Sequence, residues 1–190
     1  GAADVEHIGQ LGEVGQRHVG ALAGQCVAQT CAVHEEVESQ LVAGGGNVGA
    51  NREVCQMIKN AGTTPVTHFT VIKNTKEGIK EQLDQYLADG VDHMLALRGD
   101  IPLGETTTCG DFDYATDLVK FVRDTYGDKF EIAVAGSPEG HISCRSLESD
   151  IAVLKQKQDN GADYIMTQLC WDMEQFKYWL DAIRQAGITM

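Results

Sequence analysis

An α/β fold built on a parallel sheet, closed as a barrel, is what this 190-residue sequence predicts. Three observations lead there. One phrase recurs along the chain: a helix-patterned run ends in a glycine, and a strand-like run comes almost at once. The strand-like runs lack clean alternation and are apolar on both sides, as parallel strands covered by helices are. The residues able to do chemistry gather at the ends of those strands, where a barrel builds its site.

Residues 1–40 are dotted with glycine, show poor periodicity and contain no proline, and form an unassigned segment. A weak strand is expected before Gly44. MIKNAG then closes a helix at Gly62, and PVTHFTV reads as the next strand. In EGIKEQLDQYLADG, Ile79, Leu83, Tyr86 and Leu87 fall on one helical face, and Gly90 ends the run. MLALR is the following strand. In DYATDLVKFVRDTYG, Leu118, Val119, Val122 and Tyr126 form the buried stripe before Gly127, and FEIAVA is the strand behind it. Leu147, Ile151 and Leu154 mark a further helix that ends before Gly161, leading into YIMTQL. Phe176, Trp179, Leu180 and Ile183 mark the last helix, which Gly187 closes, and another strand is expected to begin at Ile188. Glycine suits these junctions because the residue after a helix commonly takes a left-handed conformation.

Strict alternation of this kind gives a closed barrel or an open doubly wound sheet. No G-x-G-x-x-G stands after any strand, which favours the barrel. A full barrel uses eight strands and about 250 residues. Residues 41–190 are therefore expected to form a partial (β/α) barrel, the catalytic domain, in a chain that is incomplete at both ends.

Composition narrows the function. Hydrophobic residues make up 43% and charged residues 23%, ordinary for a globular domain. No apolar run approaches the ~18 residues of a membrane span, and no signal peptide is recognisable, so a cytoplasmic protein with no membrane partner is expected. A net charge of −13 repels a phosphate backbone, and no basic stripe counters it, so nucleic acid is not an expected partner. The six cysteines show no C-x-x-C pairing, and Cys26 and Cys31 are too loosely spaced for a zinc site. Neither a metal nor a disulfide is expected.

His68 lies within the strand VTHFTV, and at the strand ends stand Arg98, Gly99 and Asp100 after MLAL, Ser137 to His141 after FEIAVAG, and Thr167 and Gln168 in YIMTQLC. Each alone has an ordinary explanation: R-G-D as a turn, His68 as a packed histidine, Pro-Glu-Gly-His as a tight loop, Gln168 as a strand cap. Trp171, Phe176 and Trp179 read as helix packing. Joint placement at successive strand ends gives ligand-orienting groups without an evident nucleophile. There is no G-x-S-x-G elbow, no H-E-x-x-H and no strand-end lysine for Schiff-base work. Redox chemistry on a bound cofactor is what remains, because the cofactor brings the reactive atom.

The runs PVTHFTV, HMLALRGDIP, FEIAVAGSPEGH and SLESDIAVLKQKQDNGADYIMTQLCWD closely resemble methylenetetrahydrofolate reductases, in order and in spacing, over about residues 44 to 190. The resemblance implies a (β/α)8 TIM-type barrel with non-covalent FAD across the strand ends. It implies hydride transfer from reduced flavin to 5,10-methylenetetrahydrofolate, giving 5-methyltetrahydrofolate. It further implies that His68, Arg98, Gly99, Asp100, Tyr114, Ala115 and His141 contact or line the flavin, with Asp150 and Lys157 at its ribose and phosphates. Asp100 and Gln168 are then the catalytic and folate-binding residues. NAD(P)H or a redox partner protein is the expected electron donor, and a homo-oligomer fits the habit of relatives.

Several positions depart from the family pattern. A first strand like F-E-F-F-P-P, with its general-acid glutamate, has no counterpart in residues 1–40, where Glu6 and Glu13 offer no basis for choice. The T-Y-G-A-G-G turn survives only as L-V-A-G-G-G (Leu41 to Gly46), Ser137 replaces a frequent tyrosine, and Val153 and Gln156 replace polar or basic groups. The alternative reading is a non-catalytic flavin- or folate-binding barrel, or a subunit that needs a partner for activity.

Overall fold

The computed structural model describes residues 48–101 and 103–190. The elements expected before residue 48 (the strand before Gly44, the L-V-A-G-G-G turn, Cys26 and Cys31) lie outside the described residues. Helices and strands alternate from there: α1 (Val48–Asn60), β1 (Val66–Thr70), α2 (Lys76–Ala88), β2 (His93–Leu97), α3 (Ala115–Tyr126), β3 (Glu131–Gly136), α4 (Leu147–Asp159), β4 (Tyr164–Thr167) and α5 (Met173–Gln185). All four strands run parallel in the order β1-β2-β3-β4, each paired with its sequence neighbour. Every strand therefore ends at the same edge of the sheet.

The helices form where the apolar spacing places them. Ile79, Leu83 and Tyr86 of α2, Leu118, Val119, Val122 and Tyr126 of α3, Ile151 and Leu154 of α4, and Trp179 and Ile183 of α5 are buried. They pack on one face of the sheet against Phe69, Met94, Ala96, Ile132 and Val134. Register assigns the other face: His68, Leu95, Ala133 and Tyr164 share one row, and Thr70, Leu97, Ala135 and Met166 the next. In β4 this apolar run is only half-buried, so burial on both sides holds for β2 and the centre of β3 but not for β4.

Polar anchors fix the ends. Thr75, Ser146 and Asp172 cap α2, α4 and α5 by accepting backbone N–H groups. Arg123 of α3 donates to the carbonyls of Gly161 at 2.6 Å and Gly127 at 2.8 Å and pairs with Asp163 at 2.7 Å, tying the α3–β3 and α4–β4 connections together at the strand starts. Arg52 of α1 pairs with Asp89 at 2.6 Å. No buried side-chain nitrogen or oxygen among the described residues lacks a partner.

Two expectations are corrected. No strand begins at Ile188: Gln158 takes the N–H groups of Thr189 and Met190 at 2.7 and 3.1 Å, and Arg184 donates to the Ile188 carbonyl at 2.6 Å. The backbone groups a strand would pair are thus held by side chains. Trp171 does not pack into a helix interface but stands 84% exposed in the turn before α5, whereas Trp179 is 2% exposed.

Candidate functional site

The parallel order carries Arg98, Gly99, Asp100, the His141 loop and Gln168 to one edge. His68 lies on the face of β1 away from the helices and is exposed there. Even so, the surrounding protein desolvates its ring and holds its pKa below the ordinary histidine value. Arg98, Gly99 and Asp100 come directly after β2. Arg98 is half-buried and makes one weak contact, from Nε to the Gly99 carbonyl at 3.2 Å; among the described residues it has no carboxylate partner. Asp100 is exposed.

Gly99 sits at φ +85°, and a Cβ there would lie 2.7 Å from Ile72 Cγ1 and 3.1 Å from Thr70 Cβ. Only glycine lets the chain leave β2 pressed against the end of β1. The long connection from Arg98 to Tyr114 is then knitted to the β1–α2 turn. Lys73 donates its N–H to the Thr108 carbonyl at 2.8 Å, Asp111 donates to Asn74 O at 3.1 Å, and the Lys76 N–H meets Asp111 Oδ2 at 2.8 Å. The buried Thr108 hydroxyl donates to Phe112 O at 2.7 Å. Gly110 has no room for a side chain, since a Cβ would stand 2.6 Å from Asn74 O. This knot returns the chain to α3 with Tyr114 exposed at its start, its N–H taken by Asp117, and Ala115 as the first helical residue.

The β3–α4 loop forms a second wall. Gly140 and His141 turn so that Gly140 N–H reaches Ser137 O at 2.9 Å and Cys144 N–H reaches His141 O at 2.8 Å. Asp150, in the first turn of α4, accepts the His141 N–H at 3.2 Å and the Cys144 thiol at 3.6 Å. His141 Nδ1 accepts from Ser143 N–H at 3.1 Å, which leaves Nε2 as the protonated nitrogen in the neutral ring. Lys157 comes up from α4 to donate to the Ala135 carbonyl at 3.0 Å, at the end of β3. Burial lowers its pKa, partly offset by Asp150. A strand-end ammonium thus exists, supplied from a helix.

Across from this loop, Gln168 leaves β4 with its N–H on Gly136 O at 2.8 Å and an exposed side chain. The two walls enclose a cleft of about 360 Å³ lined by Ser137 to Ile142, Gln168 and Leu169. His141 and Gln168 therefore share one cleft. Asp150 and Lys157 stand behind it; Arg98 and Asp100 follow the end of β2, Tyr114 caps α3, and His68 lies mid-strand in β1.

That geometry can be set beside known proteins. A family model described as methylenetetrahydrofolate reductase matches residues 41–190. The chain belongs to the methylenetetrahydrofolate reductase family. It is 41% identical over 126 residues to methylenetetrahydrofolate reductase 1 of Schizosaccharomyces pombe, covering 65% of this chain and 21% of that protein. A probable methylenetetrahydrofolate reductase (NADH) of Oryza sativa is 36% identical over 160 residues, 77% of this chain and 27% of its own length. The 5,10-methylenetetrahydrofolate reductase of Pectobacterium carotovorum is 34% identical over 151 residues, covering 77% of this chain and 49% of that protein. This member of the methylenetetrahydrofolate reductase family thus spans a fifth to a quarter of the two eukaryotic relatives and about half of the bacterial one.

Sequence reasoning missed the residues that assemble the walls. Thr108, Asp111 and Gln175, whose side chain donates to Pro138 O at 2.8 Å, act through contacts between loops. No spacing rule reveals them, because their partners lie in other units of the chain.

Proposed function

We propose that this chain is part of a (β/α)8 catalytic domain that reduces 5,10-methylenetetrahydrofolate to 5-methyltetrahydrofolate with FAD as cofactor. The observation that supports the reading is the shared edge: the parallel strands end with Arg98-Gly99-Asp100, the loop of His141 and Gln168 on one side of the sheet, with His68 in mid-strand on β1, all within the segment matched by the family. Closure into a barrel fits this series of β/α units with helices on one face only.

The donor set suits a flavin dinucleotide. Arg98 uses one of its five N–H donors, and Lys157 one of three, so both keep capacity for phosphate oxygens in a chain of net charge −13. Asp150 retains acceptor sites beyond its two contacts, enough for a ribose hydroxyl. Tyr114 offers an exposed ring and Ala115 a small neighbour at the start of α3. When bound, FAD supplies a hydride for the substrate's methylene carbon.

The chain's own residues bind and orient. Gln168 presents an amide donor and acceptor toward a pterin edge. Asp100 provides a carboxylate that stabilises positive charge developing on the folate and disfavours further negative charge on the reduced ring. His68, held neutral more readily than an ordinary histidine, gives a hydrogen-bonding edge without added charge. The Oryza relative's name carries NADH, which supports a nicotinamide donor here.

Titration with FAD, followed by quenching of flavin fluorescence, tests the reading. Saturable binding that weakens in Arg98→Met and Lys157→Met supports it; binding that is absent in the unaltered chain refutes it.

A further inference from the structure

The cleft between the β3–α4 and β4–α5 loops is held by few contacts. Gln168 N–H bonds Gly136 O, which continues the strand ladder. Cys170 Sγ lies 3.9 Å from Glu139 Oε1, a long and weak contact. Among the described residues the one strong side-chain link is Gln175: its Nε2 donates to the carbonyl of buried Pro138 at 2.8 Å. Gln175 is fixed in turn, because Asp172 Oδ1 accepts its N–H at 3.1 Å in the cap of α5. Pro138 opens the turn that carries His141, and Gln168 lies seven positions before Gln175 on the opposite wall. A helix on one unit thereby grips the loop of the preceding one.

We propose that Gln175 is a positioning residue that holds the Pro138–His141 turn against the cleft and so sets His141 opposite Gln168. The role of that turn in cofactor binding rests on the flavin reading above; the grip on the turn does not. A carbonyl gripped by a single donor loses its position when the donor is removed, and the amides of the turn then open to solvent more often. A lysine of similar length can restore the grip, as Lys157 already does at the Ala135 carbonyl.

The test compares the unaltered chain with Gln175→Met and Gln175→Lys by amide hydrogen exchange and by FAD titration. Exchange at Gly140, His141 and Cys144 should quicken about tenfold in Gln175→Met, the scale of one lost hydrogen bond. Amides of α3 should hold their rates, and Gln175→Lys should restore the turn. FAD affinity should fall about tenfold and recover in the same pattern. Unchanged exchange in Gln175→Met, or no recovery in Gln175→Lys, overturns the proposal. Should Gln175→Met fail to fold, Gln175→Asn, one methylene too short to reach, takes its place. If the unaltered chain takes no FAD, the flavin reading falls while the exchange rates still decide the positioning role.

Discussion

Replacing Gly99 by alanine probes how the Arg98–Asp100 segment is placed. The added Cβ would sit 2.7 Å from Ile72 Cγ1 and 3.1 Å from Thr70 Cβ, well inside van der Waals contact, and Ile72 is only 2% exposed. The backbone at φ +85° adds a second cost. A left-handed conformation costs a non-glycine residue about 1–2 kcal/mol, and overpacking a filled site about 1–3 kcal/mol. The expected loss is therefore about 2–5 kcal/mol, a large share of a domain's ~5–15 kcal/mol. With a urea slope near ~2 kcal/mol per M, the unfolding midpoint should fall by about 1–2.5 M. Circular dichroism against urea measures it. Combining Gly99→Ala with Ile72→Ala should cost less than the two separately, since the second change removes the atoms in the way. A midpoint shift below about 0.3 M, or strict additivity, would refute the packing argument.

The same geometry makes three further outcomes testable. Arg123→Met strips the grips on Gly161, Gly127 and Asp163 from a side chain only 19% exposed, and should cost about 2–4 kcal/mol in the same urea assay. Tyr114→Ala removes an exposed ring and should leave stability within about 0.5 kcal/mol, while weakening FAD binding about tenfold by titration. The lowered pKa of His68 means the unfolded chain binds that proton more readily, so stability is lost as pH falls from about 6.5 through the folded value. His68→Gln should flatten that acid limb in thermal scans between about pH 5 and 7. The effect is well under a full proton's slope because the exposed edge of the ring is screened.

Much of the fold is legible in the sequence because helices on a parallel sheet leave a local mark. The stripe Leu118, Val119, Val122 and Tyr126 is buried as its spacing requires, and Gly62, Gly90, Gly127, Gly161 and Gly187 all adopt positive φ at the helix ends. Strand polarity then carries Arg98, His141 and Gln168 to one edge with no further information. What the sequence hides depends on contacts between units. A glutamine in the first turn of α5 reads as surface until its partner at Pro138 is known. Trp171 reads as packing because apolar character says nothing of which neighbour arrives to cover it. In the sequence Asp150 and Lys157 read as ligand partners alone; the structure also gives them backbone groups to hold.

The proposed reaction is hydride delivery to a folate at the shared strand edge. Its most direct test is a single turnover without oxygen: FAD-loaded protein is reduced, mixed with 5,10-methylenetetrahydrofolate, and monitored through the flavin absorbance band, with product identified by mass spectrometry. Flavin absorbance should return as 5-methyltetrahydrofolate appears in equal amount, and Asp100→Asn and Gln168→Ala should slow both together. Loaded protein whose flavin stays reduced, with no methyl product formed, would contradict it.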